Sequence, residues 1–165
     1  SGLAKFPTPP LTTRLSYGEL GKHLADTMPT EVVRLCALDD IAPDDTRLVK
    51  VDVEGAEETV LEGAGRVLRE VRPVWVIEAN PRTRAQTARV MRTLIEAQYR
   101  LFWLYTPFVL PKPARGAPRG PALIDLNFVA LPPGAENVWD LPAIVDVNAA
   151  WPSSRQGFPY FANYE

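Results

Sequence analysis

Residues 48–64 read LVKVDVEGAEETVLEGA. Residues 48–53 are a mostly apolar run rich in β-branched side chains, as expected of a strand buried on both faces of a parallel sheet. Gly55 permits a tight exit. Over 56–72 the apolar residues Val60, Leu61, Ala64, Val67, Leu68 and Val71 recur at helical spacing, while Glu57, Glu58, Glu62, Arg66, Arg69 and Glu70 lie largely opposite. Glu57 and Glu58 fall in the first turn, where the helix dipole favours negative charge. Pro73 stops the helix, and 74–79 (VWVIEA) predicts a second buried strand. Two buried strands joined by a helix predict a parallel pair with a right-handed crossover.

The alternation continues towards the C-terminus. Asn80 suits an N-cap and Pro81 a first helical position. Val90, Met91, Leu94 and Ile95 mark the inner face of a helix to about Gln98, and Arg82, Arg84, Arg89 and Arg92 are expected mostly in solvent. Residues 101–105 (LFWLY) predict a third strand, and 123–131 (LIDLNFVAL) a fourth, antiparallel to its neighbour. Between them, 106–122 is a Pro/Gly-rich loop long enough to suggest a substrate lid. Towards the N-terminus, 32–38 predicts a short strand. Residues 1–31 read as a loop-rich segment with a short helix over 17–27. After Pro133 the chain is aromatic and Pro-rich, so 134–165 is expected to pack on the domain or a partner.

Composition bounds the function. The chain has 165 residues and a formal net charge of −2, with scattered positive charge. That gives no electrostatic footprint for nucleic acid or an anionic membrane. No apolar run approaches the roughly 20 residues of a membrane span, and no signal peptide is visible. The single cysteine, Cys36, cannot form an internal disulfide, which suggests a reducing cytoplasm. Its apolar surroundings mark it as a small core residue.

In open parallel sheets, ligands bind beyond the carboxyl ends of the strands. Asp52 and Glu54 stand at one such end. Glu78 stands at the next, followed by Asn80. Three carboxylates thus converge on one rim, although Asp52 and Glu54 would also serve simply to cap a helix and Glu78 to pair with an arginine. An oxygen cage of Asp39, Asp40, Asp52 and Glu54 would suit a divalent cation. A zinc site is not expected, because histidine and cysteine are scarce. His23, the lone histidine, reads as a surface residue or a general base.

Several elements in order resemble the signature of the FkbM-type methyltransferases: Leu38-Asp39-Asp40, Asp52-Val53-Glu54-Gly55-Ala56-Glu57, Leu61-Glu62-Gly63-Ala64, Pro73 and Glu78. Residues 96–104 (EAQYRLFWL) and 124–132 (IDLNFVALP) resemble the later helix end and last strand, so the resemblance covers 32–133. It implies an α/β, Rossmann-like class I methyltransferase sheet, parallel with a final antiparallel strand. It implies S-adenosyl-L-methionine as cofactor and a hydroxyl of a sugar or natural product as acceptor. The family holds its cofactor with a Gly-rich loop, and no G-x-G-x-G occurs here. The resemblance therefore implies the C-terminal half of the domain, inactive alone, with the cofactor-binding half elsewhere. The sheet edge beside 48–53 would then be filled by that half, by another copy, or by 32–38.

Within this reading Asp52 lies nearest the cofactor's methyl end, Glu54 is a base or hydroxyl ligand, and Glu78 is a secondary orienter. The rival readings are a divalent-metal-dependent enzyme using the acidic rim, and a non-catalytic half-domain that docks a partner.

Overall fold

The computed structural model describes residues 2–9, 28–107 and 124–152. The expected helix over 17–27, His23, most of the 106–122 loop and the aromatic residues from Phe158 onward lie outside them.

The main sheet contains β3 (Leu48–Val51), β4 (Val74–Glu78), β5 (Arg100–Pro107) and β6 (Ile124–Leu131), in the order β3-β4-β6-β5. β3 and β4 are parallel, with Val51 opposite Ile77. β6 lies antiparallel between β4 and β5. This mixed sheet is compatible with part of a Rossmann-like fold.

The pleat sorts the side chains into two faces. On one, Ile77, Phe128 and Trp103 align across three strands beneath Leu61 and Val67 and beneath Val90, Met91 and Leu94 of α3 (Arg84–Glu96). On the other, Phe102, Val129 and Leu131 are closed over by Leu141 and Ala135 from the chain after β6. In the described part of the chain after β6, Leu141 is buried and the Trp151 ring lies tilted against that of Trp103, 5.6 Å between centroids, while Trp139 is exposed. Trp103 N–H donates to the Pro142 carbonyl and Ile144 N–H to the Leu101 carbonyl. The outer edge of β5 is therefore covered, as exposed strand edges require.

Three local expectations are corrected. First, β3 ends at Val51 and is not buried on both faces. It has only β4 as partner among the described residues, so Leu48 stays 58% exposed. Residues 32–38, one of three ways considered to fill that edge, do not do so: they contribute to β2 (Thr30–Leu35), antiparallel to β1 (Gly2–Pro7), a strand within the stretch read as loop. Second, neither side of this two-stranded ribbon is well covered among the described residues. Val32 is largely exposed, and Cys36 beyond it is exposed rather than a core residue.

Third, the helix over 56–72 is broken. α2 (Glu57–Glu62) stops at Gly63, and the chain re-enters a helical path through a π-helical turn, Val67–Val71. The cause is Asp39, in the first turn of the short α1 (Leu38–Ile41). Its two carboxylate oxygens accept from the Arg66 and Val67 amides, each at 2.9 Å, acting as a cap supplied from 27 residues upstream. Burial pushes the Asp39 carboxyl up, but those amides and the Arg66 guanidinium hold it below the ordinary carboxylate range. Gly63 sits 3.4 Å from Ala37 at its missing Cβ, so α1 packs directly on the break. Asp39→Ala is expected to cost about 1–2 kcal/mol, the loss of a helix cap, read as a lower urea midpoint with unchanged slope. An unchanged midpoint would deny the cap.

Arg82, Arg84, Arg89 and Arg92 are exposed, as expected; from the surface Arg89 grips Glu58 of α2 through both its Nε and Nη2 (2.9–3.1 Å), and Arg92 donates to Asn148. No helix of the described residues is long and apolar enough to cross a membrane.

Candidate active site

Asp52 follows β3 directly and Glu78 ends β4, so the parallel pairing brings both to one rim. Glu54 reaches it through a sharp turn in which Glu54 (φ 46°) and Gly55 (φ 86°) are both left-handed. Glycine adopts that conformation freely, but at Glu54 it costs about 1–2 kcal/mol. One carboxylate oxygen from each of Asp52, Glu54 and Glu78 lies within 4.8 Å of the others. A divalent cation can bridge carboxylates so placed, and so can a shared proton. The grouping differs from the acidic cage expected from sequence. Asp39 is committed to the cap, Asp40 is not a member, and Glu78 is.

The rim has members that sequence reasoning missed. Lys50 lies on the same face of the pleat and donates to Asp52 Oδ2 (3.1 Å) and to Asn127 Oδ1 (3.2 Å). Asn127, opposite Glu78 in the β4–β6 register, is buried and donates its amide to Asp125 (2.9 Å). A polar asparagine inside the apolar run LIDLNFVAL was the one visible signal. Asn80 lies just past the rim and accepts from the Arg82 amide at 2.9 Å, the cap expected of it.

Glu78 is the perturbed group. Its Oε2 is buried and has no hydrogen-bond partner among the described residues. Burial, and then the carboxylates of Glu54, Asp52, Asp125 and Glu57, push it up to about 7 from the ordinary 4.5. Its expected pairing with an arginine is not found among the described residues. The folded protein thus holds a proton on Glu78 that the unfolded chain releases. The resulting stabilisation is complete below about pH 4.5 and is lost as the pH rises through about 7. Allowing for solvent screening, the change is on the order of 2 kcal/mol. Asp39, shifted downward, acts only at lower pH. Urea titrations at pH 5 and 7.5 are therefore expected to show this slope in the wild type and not in Glu78→Gln. Equal slopes would contradict the assignment.

Residues 3–101 match the family model described as a methyltransferase FkbM domain, a span that takes in β1 through the start of β5. No curated protein and no solved structure matches the chain.

Proposed function

The chain belongs to the FkbM methyltransferase family, and from that premise we propose that the rim accepts the proton in an S-adenosylmethionine-dependent methylation of a hydroxyl on a sugar or natural-product acceptor. The observation that carries this reading is the partnerless, buried oxygen of Glu78 with its proton affinity near neutrality. Methylating a hydroxyl releases a proton, and a general base works best when its pKa lies near the operating pH. Glu78 is therefore the base, and Glu54 and Asp52 are its neighbours, which exchanges the roles that the family resemblance implied for Glu54 and Glu78.

The rim suits the cofactor's charge. S-adenosylmethionine carries a sulfonium and an ammonium, and when bound it supplies the methyl group. Asp52, Glu54 and Glu78 outnumber the one lysine beside them, and fixed carboxylates favour positive charge in a partly dry site. Asp52 would face the cofactor's methyl end. Lys50 holds Asp52 and ties it to Asn127, so β3 and β6 are fixed against each other across Glu78. The same acidity disfavours phosphorylated or carboxylated acceptors and favours neutral polyols.

The test is transfer of a tritiated methyl group from S-adenosylmethionine to a panel of neutral sugars, polyhydroxylated macrolides and their phosphorylated counterparts. Alkali-stable label on neutral acceptors is expected. Label appearing only on amines, or as alkali-labile esters, would overturn the reading.

A further inference from the structure

We propose that Gln86 and Glu57 are positioning residues that hold the Glu54 carboxylate against Glu78 by gripping the Gly55 peptide from both ends. The catalytic consequence rests on the function proposed above; the grip itself does not.

The rim turn contains two consecutive left-handed residues, and one of them, Glu54, carries a side chain that disfavours this conformation. Without restraint Glu54 would relax to an extended backbone and swing its carboxylate out of the cluster. Two hydrogen bonds oppose this. The Gly55 amide donates to Glu57 Oε1 at 3.0 Å, and the Gly55 carbonyl accepts from Gln86 Nε2 at 2.6 Å. Glu57 is only 6% exposed, which is rare for a glutamate. The bond it accepts from the Gly55 amide gives the buried carboxylate its use.

Gln86 makes the grip specific to the site. It lies in the first turn of α3, and α3 follows the turn capped by Asn80, two residues after Glu78. The Gln86 bond therefore ties the turn bearing Glu54 to the chain segment bearing Glu78. It sets the distance between the two carboxylates, which neither strand fixes alone because Glu54 lies beyond β3.

Gln86 carries no charge, so replacing it alters the titration of Glu78 only by moving its neighbours. The experiment compares Gln86→Leu, Glu57→Ala, Glu57→Gln and, as a control, Arg89→Ala, which removes the exposed tie to Glu58. Three measurements are made on the purified full-length enzyme. They are the Glu78 midpoint by carboxyl ¹³C NMR, exchange of the Gly55 amide, and kcat with KM for S-adenosylmethionine.

Gln86→Leu is expected to lower the Glu78 midpoint from about 7 towards 4.5 and to cut kcat roughly 10- to 100-fold, as misplacement of a reacting group does, with KM within about twofold. Glu57→Ala is expected to speed Gly55 exchange, and Glu57→Gln, which keeps an acceptor oxygen, to restore it. Arg89→Ala is expected to match the wild type in all three. A Gln86→Leu variant with the wild-type Glu78 midpoint overturns the proposal, whatever its kcat. If the midpoint and exchange move as expected while the wild type methylates no hydroxyl, the grip stands and the proposed function falls.

Discussion

Glu78→Gln will lower methyl transfer by roughly 10²- to 10⁴-fold, the range for loss of a general base. Glutamine matches glutamate in shape, and the β4 backbone pairs with β6 in either case, so the acceptor's environment is kept while the proton acceptor is lost. The wild-type rate is expected to rise with pH through about 7 and then level, following ionisation of Glu78. The variant should lack that limb. Glu54→Gln and Asp52→Asn will each cost about 10²-fold and will also shift the limb. Removing a neighbouring negative charge makes the Glu78 carboxylate easier to form, so its plateau will begin at lower pH. Glu54 is expected to have the larger influence of the two. A Glu78→Gln enzyme with wild-type kcat would sink the assignment.

Phe128→Ala will have the largest effect on stability, about 3–5 kcal/mol. Phe128 is fully buried at the middle of β6 and lies between Ile77 and Trp103 in one continuous row. Its removal opens a cavity bounded by strands on both sides, and neither can close inward without breaking its ladder. Val145→Ala, at a residue 94% exposed, should stay within about 0.5 kcal/mol. Urea unfolding of both variants at one pH checks the pair. A Phe128→Ala loss below about 1 kcal/mol would mean that the sheet is not packed as described.

The strand–helix–strand unit was legible because each of its parts announces itself locally. Residues 48–53 and 74–79 are apolar and β-branched, Pro73 separates helix from strand, and Asn80-Pro81 opens the next turn. Asp52, Glu54 and Glu78 were legible for the same reason, since parallel strands put their carboxyl ends together. What stayed hidden depends on distance in sequence. The helix break needs Asp39, 27 residues before Arg66. Lys50 and Asn127, 77 residues apart, meet only because β6 lies beside β4. Gln86 follows no apolar period, and nothing local marks it as reaching Gly55. The pairing of β1 with β2 was missed because 2–7 mixes apolar residues with Lys5 and Pro7 and shows no clean alternation.

The place of β6 between β4 and β5 sets a schedule for synthesis. β3, α2 and β4 emerge early and can pair at once, but β4 must wait for residue 131 before its inner edge is matched. At the usual pace of translation those 53 residues (131 − 78) take about 3–10 s. Throughout that interval the ribosome carries a nascent chain with a hydrophobic strand, VWVIE, open on one side. That half-built sheet is a natural client for a chaperone. Slowing elongation over 108–123 should raise the misfolded yield more than slowing it anywhere before residue 74.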